Sequence, residues 1–209
     1  MNVTRHDIQR IIIPLRLIFW GGIICVLDIS INNFDILNDF IGSILIAIGV
    51  FQIATVEIHD RYSNAMLFVK IMAILGCIRA LFENFSAEIP PLLGGLFALI
   101  GFAEMIAIVV FCVAIGWLSR EAKLDVSEKS WQTTTILFTI IYLIPLGLFY
   151  LIAVFASATG NSFHINLGPA GLLLVPVFFV PLIHFFVSTS RMKNEAQSNS
   201  DDQQDVLTP

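Results

Sequence analysis

Asp35–Phe51 reads DILNDFIGSILIAIGVF, and Ala87–Ala103 reads AEIPPLLGGLFALIGFA. A shift of fifty-two residues lays Gly42 on Gly94, Gly49 on Gly101, and apolar residues on apolar residues through most of the length. Each copy is a polar or acidic loop, then a glycine-marked entry into a long apolar helix. Internal similarity in an apolar chain signals a repeated supersecondary unit. It predicts an architecture and a place to look for a site, not a substrate.

The rest of the 209-residue chain has the same character, with 57% hydrophobic and 13% charged residues. Soluble domains carry about a quarter charged residues, and a core of this size cannot hide so much apolar surface from water. The composition predicts a bilayer as the solvent for most of the chain. A spanning helix needs about twenty mostly apolar residues. Six stretches fit: 11–31, 40–56, 65–85, 91–118, 132–156 and 169–188, the second extended by Ile36 and Leu37. The fold class is therefore all-α, a polytopic membrane bundle of six transmembrane helices in three repeated hairpins. It occupies residues 1–193, and the polar, acidic stretch 194–209 is expected to be a disordered tail. Residues 119–130 mix charges and predict a short surface helix. The first stretch follows Arg5 and Arg10 and lacks a small-x-small site at its end, so it reads as a span rather than a leader.

Charge sorting sets the orientation. Arg5, Arg10, Arg61, Arg120, Lys123, Lys129, Arg191 and Lys193 all fall on one side of such a bundle. The opposite loops hold Asp35, Asp39, Glu88 and His164, with Asp28 and Glu83 at helix ends and no Lys or Arg. Both termini are expected on the cytoplasmic side.

Small residues permit close helix contact in lipid. Ser43 and Ala47, and Gly94 and Ala98, have small-xxx-small spacing, and Gly42 and Gly49 share a face. The second and fourth spans are thus expected to be central, with Gly94→Leu disruptive. The three cysteines, Cys25, Cys77 and Cys112, lie in apolar stretches without metal-ligand spacing, which implies no disulfide framework.

Ionisable residues inside a membrane are costly and mark sites by default. At 1.5 Å per residue, Lys70 lies about 22 Å from Phe85 and Glu104 about 20 Å from Pro91. They are expected to pair. Arg16, Gln52, Tyr142 and His184 fall near the same level, and the repeat matches Gln52 with Glu104. Together these six residues predict a polar layer for a cation, a proton or a small polar solute. The bland alternative is that Arg16 and Lys70 snorkel and that His184 and Tyr142 bond to a neighbouring backbone. A second group gathers on the outer side: Asp28, Asp35, Asp39, Arg79, Glu83 and Glu88. Arg79 and Glu83 have i,i+4 spacing for a local ion pair. The acids could collect a cation such as Ca²⁺, although no EF-hand spacing occurs. Asp35 and Asp39 also suit the positive end of the second span.

The chain contains no Walker loop, no H-E-x-x-H, no dinucleotide fingerprint and no nucleophile elbow. Asn84-Phe85-Ser86 matches a glycosylation triplet but sits at a helix end. No catalytic residue, metal or cofactor is expected, and no nucleic-acid partner.

The run Asp35-Ile-Leu-Asn-Asp-Phe-Ile-Gly42 resembles a D-x-L-P-D-F-I-G-Y segment of small, uncharacterised bacterial multi-pass membrane proteins. Asn38 stands where that segment has proline, and Ser43 where it has an aromatic. The resemblance implies a bacterial cytoplasmic membrane and supplies no activity. The expected role is non-enzymatic: a structural, assembly or sensory component whose partners are lipid and other membrane chains or its own copies. The first alternative is a small transporter or channel subunit for a cation or polar solute. A weaker third is an intramembrane enzyme acting on lipid.

Overall fold

The computed structural model describes residues 5–26, 30, 31, 34, 35, 39–56, 58–85, 90–158 and 170–205. These residues are helical almost throughout. The helices are α1 (Arg5–Val26), α2 (Asp39–Ile53), α3 (Asp60–Phe85), α4 (Pro91–Glu121), α5 (Asp125–Phe138), α6 (Ile144–Ala158) and α7 (Ala170–Asp205). A π-helical turn, Thr139–Leu143, joins α5 to α6, so the described residues form six rods. The exception is a minimal antiparallel pairing of Ser30–Ile31 with Phe34–Asp35.

Three rods, Asp60–Asn84, Leu93–Glu121 and Asp125–Ile152, are long and apolar enough to cross a membrane. Only 28%, 22% and 11% of their most apolar stretches lie buried within the fold. Most of that apolar surface therefore faces outward, which is unfavourable in water and natural in lipid.

The π turn explains how Pro145 sits inside a continuous rod. Proline has no N–H to give the carbonyl four residues back, which normally breaks or kinks a helix. Just before it, the Ile144 N–H bonds the Thr139 carbonyl five residues back. The register has widened before proline arrives, so the rod continues.

The rods pack in a closed ring: α1 on α2, α2 on α3, α3 on α4, α4 on α5, α5 on α7, and α7 back on α1. The ring is filled near the end that holds the α2–α3 and α4–α5 connections. Leu15, Ile53, Tyr62, Ile115, Leu118, Trp131 and Met192 are wholly buried there. Phe185 of α7 is the hub. Its ring stacks on Phe19 of α1 at 6.5 Å and on Phe111 of α4 at 6.3 Å, and meets Trp131 of α5 edge-on at 5.1 Å. Phe185→Ala should cost about 3–5 kcal/mol by opening a cavity at this junction; denaturant titration in micelles reads the loss.

The connections at that end are built from specific bonds. His59 precedes α3, and its Nδ1 accepts the Tyr62 N–H at 3.0 Å. The Tyr62 hydroxyl donates to the Ile53 carbonyl at 3.2 Å, satisfying a C-terminal acceptor of α2. After α4, Lys123 takes a positive φ of 57°, the conformation that favours glycine. There the Leu124 N–H bonds the Ser119 carbonyl and the Lys123 N–H bonds Arg120, closing a Schellman-type turn with Leu124 buried. Lys123→Gly should raise stability by about 0.5–1 kcal/mol because the left-handed residue loses its Cβ strain. A lower melting temperature would contradict this.

The segment 194–205 departs from the sequence expectation, because α7 continues through Asp205. No side chain within α5's own turn caps its N-terminus. Glu195 does so from α7: its carboxylate accepts the Val126 N–H at 3.0 Å, the Ser127 N–H at 2.8 Å and the Ser127 hydroxyl. Met192 and Ala196 are buried beside it. A carboxylate at a helix N-terminus meets both orphan donors and the positive end of the dipole. Composition judged the segment by its own apolar content and could not register a partner supplied by α5. Glu195→Ala should cost about 1–2 kcal/mol and speed amide exchange at Val126 and Ser127. Unchanged exchange there would contradict the cap.

Candidate functional site

Three ionisable side chains, Arg79, Glu83 and Glu104, meet at the α3–α4 interface. Arg79 on α3 is held by two carboxylates. Its Nη1 donates to both oxygens of Glu83 at 3.1 and 3.0 Å, and its Nη2 donates to Oε2 of Glu104 at 2.9 Å. The Arg79–Glu83 pair is the i,i+4 bridge that the spacing predicts. Glu104 extends it across the helix interface.

Lys70 is not the partner of Glu104. Glu104 faces Gly76 and Arg79, and Arg79 stands nine residues from Lys70, about 14 Å along the helix. The depth count assumed that α3 ends and α4 begins at one level. Instead Arg79, six residues before the end of α3, meets Glu104, thirteen residues into α4. The helices are staggered by about two turns. Lys70 is half-buried, and among the described residues it makes no ion pair.

Local sequence explains the fit. Gly76 lies one turn before Arg79 on the same helix, and a Cβ there would fall 2.5 Å from Oε1 of Glu104. The bare backbone is what lets the carboxylate lie flat against α3. Oε1 is buried and has no hydrogen-bond partner, and the same holds for Nε of Arg79. Cys25 at the end of α1 lies within electrostatic reach of Glu104 and Arg79, and also of Asp39 at the start of α2. The Cys25 thiol donates to the Asp39 carbonyl at 3.7 Å.

His184 and Tyr142 do not join Glu104. They belong to a second polar seam, between α5 and α7. Arg191 Nη1 approaches the Ser130 hydroxyl at 3.4 Å, Ser130 and Ser188 hydroxyls lie 2.8 Å apart, and Ser188 and Thr134 are also 2.8 Å apart. Thr134 then meets His184 Nδ1 at 2.9 Å. Ser130, Thr134 and Ser188 are buried. Such hydroxyls join helices in lipid, where an unpaired group would be costly. Tyr142, in the π turn, donates to the Phe178 carbonyl. The three serine and threonine members were missed in the sequence because each is common alone. Their i,i+4 spacings, 130/134 and 184/188, were the available signal.

The remaining expected site residues are dispersed. Arg16 is exposed on α1, and Gln52 is exposed at the end of α2, where its carbonyl accepts the Thr55 hydroxyl at 2.7 Å. Among the described residues no hydrogen bond or ion pair joins the six residues of the expected polar layer to one another. Asp39 stands in the first turn of α2, as its helix-end role requires. Asp35 lies in the short pairing after α1. Asp28, Glu88 and His164 lie outside the described residues.

The repeat also divides. Gly42 and Gly49 form the α1–α2 crossing: a Cβ on Gly42 would be 2.7 Å from the Gly21 carbonyl, and one on Gly49 would be 2.6 Å from the Pro14 carbonyl. Gly101, the counterpart of Gly49, does not repeat this. Gly94 is half-buried, and a Cβ on Gly95 or Gly101 would meet open space. Gly101 is thus not a packing contact of the fourth span; Gly76 makes a close approach of α3 to α4.

Among the described residues no three His, Cys, Asp or Glu side chains gather closely enough to hold a metal ion. No protein-family model matches the chain, and neither a curated protein nor a solved structure matches it.

Proposed function

We propose that this chain is a multi-pass protein of the bacterial cytoplasmic membrane with a non-enzymatic role, as a structural, assembly or sensory component. In this reading all six rods span, in three hairpins, with both termini cytoplasmic. The charge sorting of the loops supports the orientation, and the packing of α1 on α2 and α3 on α4 supports the hairpins. The hairpins are repeats of plan, since the glycine contacts differ between them.

The observation that carries the role is the filled ring. Phe185, Phe111, Phe19 and Trp131 close its centre with aromatic contacts rather than a polar path. A bundle filled in this way offers its outer surface to lipid and to other chains. Gly95 and Gly101 leave open helix surface on α4, where a second copy or another membrane chain could approach closely.

One observation favours transport of a cation or polar solute as a second reading: the intramembrane group at Glu104 has a buried oxygen without a partner. Reconstitution into liposomes separates the two. Dye-reported H⁺, Na⁺ and K⁺ flux should not exceed that of protein-free vesicles. Flux that Glu104→Gln abolishes would establish the second reading instead.

A further inference from the structure

The Arg79 group is unbalanced in charge and in hydrogen bonding. One guanidinium faces two carboxylates, so the ionised triad carries a net charge of +1 − 2 = −1. Glu83 engages Arg79 through both oxygens, whereas Glu104 engages through Oε2 alone. Oε1 of Glu104 has no donor. The groups around it do not correct the deficit. On α3 they are Arg79 and Glu83; α1 brings Cys25 within electrostatic reach, while α6 places Tyr150 against Phe102, two residues from Glu104. Lys70 is about 14 Å away from Arg79 along α3. A net charge held away from water is expensive, and neutralisation is the usual outcome.

The geometry also selects the neutralising ligand. Oε1 rests on the bare backbone of Gly76, with only 2.5 Å to the position of a Cβ. A metal ion needs several oxygen ligands and room for them. The described residues assemble no such set. A proton needs neither.

We propose that Glu104 is a proton-binding site of this protein. Oε1 forms an O–H bond with one proton, delivered from water at the α3–α4 end of the bundle, where Glu83 is the most exposed member of the group. The triad passes from −1 to neutral, and Arg79 remains paired with Glu83. The contact from Arg79 to Oε2 changes from an ion pair to a hydrogen bond from the guanidinium onto a neutral carboxyl, which weakens the clasp between α3 and α4. This holds whether the protein senses or transports, because it concerns occupancy of one carboxyl and not flux.

Infrared spectra of the protein in nanodiscs, recorded through a pH titration, test the assignment. The expected result is one protonated-carboxyl C=O band that grows as pH falls, shifts with ¹³C-glutamate, persists in Glu83→Gln and is lost in Glu104→Gln. Should Glu104→Gln fail to fold, Glu104→Asp carries the test, and the band must then shift with ¹³C-aspartate instead. A band untouched by these variants, or none at any pH where the protein is folded, overturns the proposal.

Discussion

Arg79→Leu should destabilise the protein by about 3 kcal/mol, among the largest single effects in the chain. Removing one partner of a poorly solvated ion pair leaves the other charge uncompensated, and such losses run to about 3–5 kcal/mol. The lower figure applies because the side chains of Arg79 and Glu104 retain 29% and 22% exposure. Arg79→Leu strands two carboxylates, so the second substitution Glu104→Gln should recover about 1–2 kcal/mol by removing the deeper charge. Glu83→Gln should recover less, because Glu83 is more exposed. Unfolding of the single and double variants in bicelles supplies the cycle. Additive effects at 79 and 104 would show that the two residues are not coupled.

Gly49→Leu and Gly101→Leu should give opposite results despite their matched places in the repeat. At Gly49 even a Cβ would lie 2.6 Å from the Pro14 carbonyl and from Cγ1 of Ile18. A backbone carbonyl cannot rotate aside, so α1 and α2 must separate, at a cost of about 3 kcal/mol or more. At Gly101 nothing lies within 4 Å, and the same substitution should stay within about 0.5 kcal/mol of the parent. Parallel thermal unfolding of the two variants checks the pair. Equal losses would mean that the second glycine is packed as the first is.

These two cases mark how far the sequence could be read. Hydropathy found the three rods that are long and apolar enough to cross a membrane, because a spanning helix must be apolar for about the bilayer thickness. Asp39–Ile53 and Pro91–Glu121 begin within one residue of the expected spans 40–56 and 91–118. The Arg79–Glu83 pair was legible because it is local to one helix. The Glu104 partner was not, since it depends on the stagger of α3 against α4, and stagger is set by packing rather than by span length. The glycine repeat suggested equivalent packing, but a glycine is useful only where a neighbour approaches. Pro14 and Gly21 on α1 provide that neighbour for α2, whereas Gly95 and Gly101 face open space. The continuation of α7 past residue 193 was hidden for a similar reason: Glu195 gains its partners from α5, some 68 residues earlier in the chain.

Topology is the central claim, because the proposed role and the proposed intramembrane place of Glu104 both presume a spanning bundle. Single-cysteine variants Pro90→Cys and Lys123→Cys test it in a background lacking Cys25, Cys77 and Cys112. These two positions flank α4 at its opposite ends and are both exposed. With a membrane-impermeant maleimide on intact cells, Pro90→Cys should label directly and Lys123→Cys only after permeabilisation. Labelling of both from one side, or recovery of the chain in the soluble fraction, would contradict the account.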